Sequence, residues 1–126
     1  MMWAADEAPG LVLAPDASIG SGVQFGANVI FVVVNNNMYG TIRMHQERDY
    51  PERVHGTALV NPDFAAFARA FGLHGETVEE TAQFAPAFER ALAAGKPALI
   101  EVRIDPQAIT TTTTLDAIRS KAKQSR

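Results

Sequence analysis

An unbroken apolar run is the feature that most constrains what this chain can fold into. Residues 29–34 read VIFVVV, with no polar residue between them. A strand with one face in solvent alternates apolar and polar residues, whereas a strand inside a parallel sheet is covered by helices on both faces and does not alternate. The run therefore predicts a central strand over residues 29–34.

Three asparagines follow that run directly. Asn35, Asn36 and Asn37 tolerate left-handed backbone geometry, and their side chains both donate and accept hydrogen bonds, which is typical of a turn that ends a strand. In open α/β sheets, ligands bind beyond the carboxyl ends of the strands, where these amides are expected to lie. A simple turn and a ligand contact are therefore both open at this point.

The later part of the chain alternates helical and strand patterns. A short helix is predicted over 39–47, and a second one starts at Asn61 as N-cap with Pro62 in the first position and ends at Gly72. Strands are predicted over 73–78 and 96–104, separated by a helix that ends at residue 94. The inward residues of the last two helices are predicted to be Phe64, Phe67, Ala68, Phe71, Phe84, Phe88, Ala91 and Leu92.

This order predicts an α/β fold, a doubly wound and mostly parallel sheet with flanking helices. Three segments are predicted: residues 1–22 without a clear helix or strand period, a domain over 23–109, and a tail over 110–126. In the tail, the threonine run 110–114 predicts an extended linker, followed by a basic terminal helix or free tail. A solvated tail and a lid over a ligand remain alternatives.

Composition excludes several classes of function. The chain has 126 residues, a net charge of −3 and no cysteine. It therefore offers no basic surface for nucleic acid, no disulfide and no thiolate ligand. No apolar stretch is long enough for a membrane span and the first residues do not resemble a signal peptide, so a cytoplasmic protein is expected.

The remaining chemistry-bearing residues form no recognisable catalytic or metal-binding motif. His45, His55 and His74 lack the spacing of a zinc site, and no serine stands in a nucleophile elbow. The glycine-rich stretch 20–26 precedes a strand, whereas a phosphate-binding loop follows one, which also argues against an unrelated nucleotide-binding domain. No catalytic residue is predicted in this chain.

Residues 23–72, VQFGANVIFVVVNNNMYGTIRMHQERDYPERVHGTALVNPDFAAFARAFG, carry a specific resemblance. The stretch resembles the C-terminal, pyrophosphate-binding domain of thiamine-diphosphate-dependent enzymes of the acetolactate synthase, pyruvate oxidase and benzoylformate decarboxylase group. The resemblance continues to TTTTTLDAIR near the C-terminus. It implies thiamine diphosphate and Mg²⁺ as cofactors, a 2-oxo acid as substrate of the full-length enzymes, and a homo-oligomer in those relatives.

The resemblance assigns roles to five residues. Asn36 would be the side-chain ligand of Mg²⁺ and Met38 the backbone carbonyl ligand, with Asn35 as a supporting neighbour. Tyr39 and Gly40 would lie along the diphosphate. Amide and carbonyl oxygens suit Mg²⁺, a hard cation that prefers oxygen ligands.

The first half of the family motif is not matched. An ungapped count places Ala8, Pro9 and Gly10 where the family has Gly-Asp-Gly, so the metal-binding carboxylate is missing. The family's catalytic glutamate belongs to a separate domain. The resemblance therefore implies a truncated thiamine-diphosphate-binding domain that is inactive as an isolated chain. A non-catalytic remnant or interaction module without cofactor is the alternative.

Overall fold

The structure is a computed structural model and describes residues 2–4 and 13–125. In these residues the chain forms parallel strands and helices in alternating order. The elements are β1 (Met2–Ala4), α1 (Leu13–Gln24), β2 (Ile30–Asn35), α2 (Gly40–Asp49), α3 (Phe64–Ala70), β3 (His74–Val78), α4 (Thr81–Ala93), β4 (Ala98–Arg103) and α5 (Leu115–Gln124).

The described strands form one sheet in the order β1-β2-β4-β3, and each adjacent pair is parallel. β2 lies between β1 and β4, so the predicted interior strand is confirmed. Its bounds differ by one residue, because Asn35 continues the ladder and pairs with Arg103. The predicted α/β fold with an open parallel sheet and flanking helices is therefore confirmed.

Helices cover both faces of this sheet. On one face, Ile19 of α1 and Ala68 of α3 pack with Phe31, Leu73 and Leu99. On the other face, α4 covers a second cluster. That cluster contains Val78, Ala87, Ala91, Ala98 and Ile100. Since successive strand residues point to opposite faces, the unbroken apolar run of β2 is explained by burial on both sides.

The chain divides into two compact units, one formed by Met1–Asn35 with Asn61–Arg103 and the other by Asn36–Val60 with Ile104–Arg126. The first contains the sheet, α1, α3 and α4, and the second contains α2 and α5. None of the helices within residues 13–125 is long and apolar enough to cross a membrane.

The sequence leaves the segment 1–22 poorly specified, and the structure describes part of it. Residues 2–4 form β1, and residues 13–22 belong to α1. Pro15 lies in the first turn of α1, where a missing N–H breaks no helical hydrogen bond. Ile19 has no exposed surface, so tertiary burial outweighs the weak local helical pattern.

The N-cap of α3 also differs from the prediction. Asp63 caps the helix, since its side chain accepts a hydrogen bond from the Ala66 N–H at 2.8 Å. Asn61 lies outside the helix, and its side-chain amide donates to Asn35 instead. Gly72 follows the helix with φ +80°, which glycine adopts without strain, so the predicted stop is confirmed.

In α4, the predicted inward face is correct except for Leu92. Phe84 and Phe88 pack against the second cluster, and Ala91 belongs to it. Leu92 is 63% exposed. The face that contacts the sheet runs along positions three and four residues apart, and Leu92 lies beyond its edge.

The threonine run forms turns rather than the predicted extended linker. The Thr110 hydroxyl accepts hydrogen bonds from the backbone N–H groups of Thr112 and Thr113, at 3.2 and 3.0 Å. Thr114 then caps α5 by accepting from the Ala117 N–H. Local hydroxyl bonds therefore compete successfully with an extended path. The basic C-terminal residues form an ordered helix through Gln124, and the lid alternative remains a prediction.

The backbone of β3 passes so close to α3 that a side chain has no room at Gly75. A Cβ there would clash with the Ala65 carbonyl oxygen, which belongs to the backbone and cannot move aside easily. We expect Gly75→Ala to lower the free energy of unfolding by about 1–3 kcal/mol in urea denaturation.

Gly22→Ala in α1 is the matched control, because nothing lies within 4 Å of the place that a Cβ would take there. The same change should raise the stability by up to about 1 kcal/mol there, since alanine is the better helix former. Equal effects of the two changes would contradict the close approach of β3 to α3.

Candidate functional site

In the sheet unit, the side chain of Asn35 is held by protein groups at both ends of its amide. Its Nδ2 donates to Glu101 Oε1 at 2.7 Å, and its Oδ1 accepts from Asn61 Nδ2 at 2.8 Å. Glu101 has no exposed surface and also accepts from Thr77 Oγ1 at 3.2 Å and Arg103 Nε at 3.4 Å. These hydrogen bonds therefore fix the Asn35 side chain at the end of β2.

In the second unit, Asn36 begins a tight turn. Its side-chain Oδ1 accepts a hydrogen bond from the Met38 N–H at 3.0 Å, which is an Asx turn. Asn37 has φ 57°, the left-handed conformation that asparagine tolerates better than most residues. The predicted turn is confirmed, with the difference that it follows Asn35 rather than including it.

A short antiparallel ladder continues from this turn. Met38 pairs with Ala58, and the flanking backbone bonds are Tyr39 N–H to the Thr57 carbonyl and Leu59 N–H to the Asn37 carbonyl, both 2.9 Å. Because the ladder bonds lie on either side of Met38, the ladder does not use the Met38 carbonyl. That oxygen and Asn36 Oδ1 are the atoms that the resemblance assigns to the metal.

The helix α2 starts immediately after Tyr39, its N-cap residue, which makes no side-chain capping bond. The first N–H groups of a helix lack intrahelical partners and carry partial positive charge. Gly40, the first helical residue, is buried. Thr57 is 2% exposed, and its hydroxyl has no hydrogen-bond partner in the described part of the chain. This helix start can therefore accept an anionic group.

The donor set fits Mg²⁺ only in part. Asn36 and Met38 offer neutral oxygens, and no cluster of three histidine, aspartate or glutamate side chains occurs in the described residues. Mg²⁺ is usually held by carboxylates together with phosphate oxygens and water. The turn therefore fits a metal that arrives with a diphosphate. The Ala8, Pro9 and Gly10 prediction lies outside the described residues.

The C-terminal half of α2 is attached to α5 through Glu47, which has no exposed surface. Arg119 donates to both carboxylate oxygens, at 2.6 and 2.8 Å. Arg43 and the Glu52 N–H donate to the same carboxylate. The hydrogen bonds from Arg119, and then those from Glu52 and Arg43, outweigh burial and lower the pKa of Glu47 from 4.5 to about 2.

Sequence reasoning missed Glu47, Thr57 and Glu101. Glu101 had a usable signal, because it interrupts the apolar residues 98–102 of β4, and a charge there needs buried partners. Glu47 had only a weak local signal, Arg43 four residues earlier in the predicted helix, because its main partner Arg119 is 72 positions away in the chain. Thr57 likewise stands in a polar loop, where a threonine is unremarkable.

Comparison with known proteins identifies the family. The model of the family "Thiamine pyrophosphate enzyme, C-terminal TPP binding domain" matches residues 17–102. The chain belongs to this family. The predicted resemblance is therefore confirmed, and the match also includes residues of α1 that sequence reasoning had left outside the domain.

Several similar curated proteins are acetolactate synthases. The chain is 34% identical over 101 residues to the acetolactate synthase large subunit of Parasynechococcus marenigrum, covering 73% of this chain and 16% of that protein. It is 36% identical over 75 residues to the isozyme 2 large subunit of Escherichia coli, covering 59% and 14%. For the mitochondrial catalytic subunit of Saccharomyces cerevisiae the values are 31% over 87 residues, covering 69% and 13%. The chain therefore spans less than a fifth of these relatives.

The ion pairs of Glu47 predict a pH dependence of stability. A pKa that is lower in the folded chain than in the unfolded chain stabilises the fold above pH 4.5, and this contribution is lost as the pH falls toward 2. We expect the loss to be about 3 kcal/mol. The free energy of unfolding, measured by urea denaturation at several pH values in this range, should fall less steeply with decreasing pH for Glu47→Gln than for the wild type.

The matched control is Asp116→Asn, which removes the other carboxylate that pairs with Arg119. Asp116 is 64% exposed, so its ion pair is weak. Its substitution should change the stability by less than about 1 kcal/mol. If the free energy of unfolding depends on pH in the same way in the wild type and in Glu47→Gln, the ion pairs of Glu47 contribute little to stability.

Proposed function

We propose that residues 36–40 bind Mg²⁺ and the diphosphate of thiamine diphosphate. The observation that carries this proposal is the Asn36 turn, which leads through Met38 directly into the helix start at Gly40. Two oxygen atoms and the start of a helix, whose first N–H groups have no intrahelical partners, thus follow one another within five residues. Family membership supports the same cofactor.

Each residue has a distinct task in this proposal. Asn36 and Met38 supply one oxygen each to the cation, and the diphosphate oxygens supply the negative charge that these ligands lack. Tyr39 and Gly40 lie along the diphosphate. The Tyr39 N–H is bonded to the Thr57 carbonyl, so the backbone N–H of Gly40, at the positive end of α2, is the group that stabilises a phosphate oxygen. Asn35 supports the turn from the strand side.

When bound, thiamine diphosphate supplies the carbanion chemistry at its thiazolium carbon. The residues of this chain anchor the metal and the diphosphate, and none is assigned to proton transfer or to contact with the substrate. We therefore propose that the chain by itself is inactive toward 2-oxo acids. Acetolactate synthase-like activity, with its lyase or transferase chemistry, is proposed for an assembly that also contains the domain carrying the family's catalytic glutamate.

A non-catalytic remnant is the second candidate. Pro9 favours it, because proline lacks both the carboxylate that the family uses and a backbone N–H. The cofactor proposal remains the stronger one, since the Asn36 turn and the start of α2 supply suitable groups. We further propose a cytoplasmic location, no nucleic-acid partner and homo-oligomers for full-length relatives.

The missing carboxylate predicts weak binding. Calorimetric titration of the chain with thiamine diphosphate and Mg²⁺ should show weak binding or none, and no 2-oxo acid should be turned over. The double variant Ala8→Gly with Pro9→Asp should raise the affinity at least about tenfold, because it adds a charged oxygen ligand.

Two asparagine variants test the assigned ligands in that background. Asn36→Ala should abolish the gain, since it removes the side-chain oxygen. Asn28→Ala, at an asparagine that precedes β2, should leave it unchanged. Tight binding by the unmodified chain, or equal effects of the two alanine substitutions, would overturn the proposed site.

A further inference from the structure

Glu101 is a buried carboxylate that the proposed binding of metal and diphosphate does not use. We propose that Glu101 is a positioning residue: it holds the Asn35 amide in one orientation and so fixes the strand end from which the 36–38 turn departs. This inference rests on the proposed function for its link to the metal. Its structural half, the control of the turn by Glu101, can be tested without any ligand.

The strand register places the interacting side chains on one face of the sheet. Glu101 of β4 pairs with Val33 of β2 and Thr77 of β3. Asn35 and Arg103 pair with each other two residues further along. Because side chains two residues apart share a face, Asn35, Thr77, Glu101 and Arg103 all project from the same side. A carboxylate at position 101 can therefore reach all three neighbours.

The chemistry of these groups allows one arrangement of the Asn35 amide. Glu101 receives hydrogen bonds from Asn35 Nδ2, Thr77 Oγ1 and Arg103 Nε. An ionised carboxylate only accepts, so the Nδ2 end of Asn35 has to face it. The Oδ1 end then faces the Asn61 amide, which donates to it at 2.8 Å. In a reversed amide, Asn35 Oδ1 would face the Glu101 carboxylate and Asn35 Nδ2 would face Asn61 Nδ2. An acceptor would then face an acceptor, and a donor would face a donor.

The chain passes between the two compact units three times. At each passage, the last or first residue of the sheet unit belongs to this same network. The chain leaves the sheet unit after Asn35, returns at Asn61 and leaves again after Arg103. All three residues contact the network centred on Glu101 and Asn35. A buried charge is costly unless it is fully hydrogen-bonded, and here its bonds converge on these chain ends. This placement favours a role in directing the chain over a role in sheet stability alone.

Hydrogen exchange measured by NMR on the whole chain tests the positioning. The Met38 N–H reports the turn, since it is bonded to Asn36 Oδ1, and the amides in the middle of β4 report the stability of the sheet. In Glu101→Gln and in Asn35→Ala, we expect the Met38 N–H to exchange about tenfold faster or more, relative to the β4 amides. Glutamine keeps the size of the side chain but removes the charge and adds a donor.

Glu79→Gln is the matched control, because Glu79 pairs with Arg103 at the surface and is not bonded to Asn35. It should leave the exchange of Met38 unchanged. Unchanged exchange in both network variants would overturn the proposal. Acceleration of Met38 only in step with the β4 amides would also overturn it, because that result marks general destabilisation.

A second measurement separates this inference from the proposed function. Mn²⁺ with thiamine diphosphate at millimolar concentration should broaden the Asn36 side-chain amide signals of the wild type, and higher concentrations should be needed in Glu101→Gln. Broadening that is equal in both proteins would refute the link between Glu101 and the metal. If the wild type shows no broadening at Asn36, the proposed function fails, whereas the exchange rates still decide whether Glu101 controls the turn.

Discussion

The apolar residues of β2 and β4 are buried on both faces of the sheet, by α1 and α3 on one side and by α4 on the other. This double burial leaves the strand interiors no room for unpaired polar groups. A polar side chain inside a strand therefore needs buried hydrogen-bond partners, as Glu101 has, and polar groups that contact a ligand are expected at the strand ends. Asn35 at the end of β2 and Arg103 at the end of β4 occupy such positions.

Two carboxylates, Glu47 and Glu101, are fully buried, and different kinds of hydrogen-bond donors offset the cost of burying each of them. Glu47 is surrounded by arginine donors, and its lowered pKa shows that the ionised form is strongly favoured. Glu101 receives donors of mixed type: an amide, a hydroxyl and a more distant guanidinium. The first arrangement joins two helices, whereas the second orients an amide. The buried carboxylate of Glu47 thus attaches α5 to α2 in one unit, and in the other unit the buried carboxylate of Glu101 is proposed to orient the Asn35 amide.

The proposed site combines neutral ligands with a helix start. Neutral oxygens bind Mg²⁺ weakly by themselves, and the first N–H groups of α2, which lack intrahelical partners, favour an anion. The oxygen ligands therefore need the charge of the diphosphate to hold the metal, and the helix start holds the diphosphate better when the metal is present. Metal and diphosphate are expected to bind together. Such mutual dependence would make the affinity sensitive to a single carboxylate, such as the one that the family motif has where the resemblance aligns Pro9.

The sequence by itself determined the parallel α/β sheet, its interior strand and the turn at the asparagines, because the period of apolar residues and the backbone preference of asparagine are local properties. It did not determine α1, whose helical pattern is weak, or the cap of α3, where Asn61 is drawn away by Asn35. Only the tertiary structure decided the distant partners of Glu47 and Glu101. The hydrogen bonds from Arg119 to Glu47 and from Asn35 to Glu101 join residues far apart in the chain, and no local pattern records which distant donors a buried carboxylate will meet.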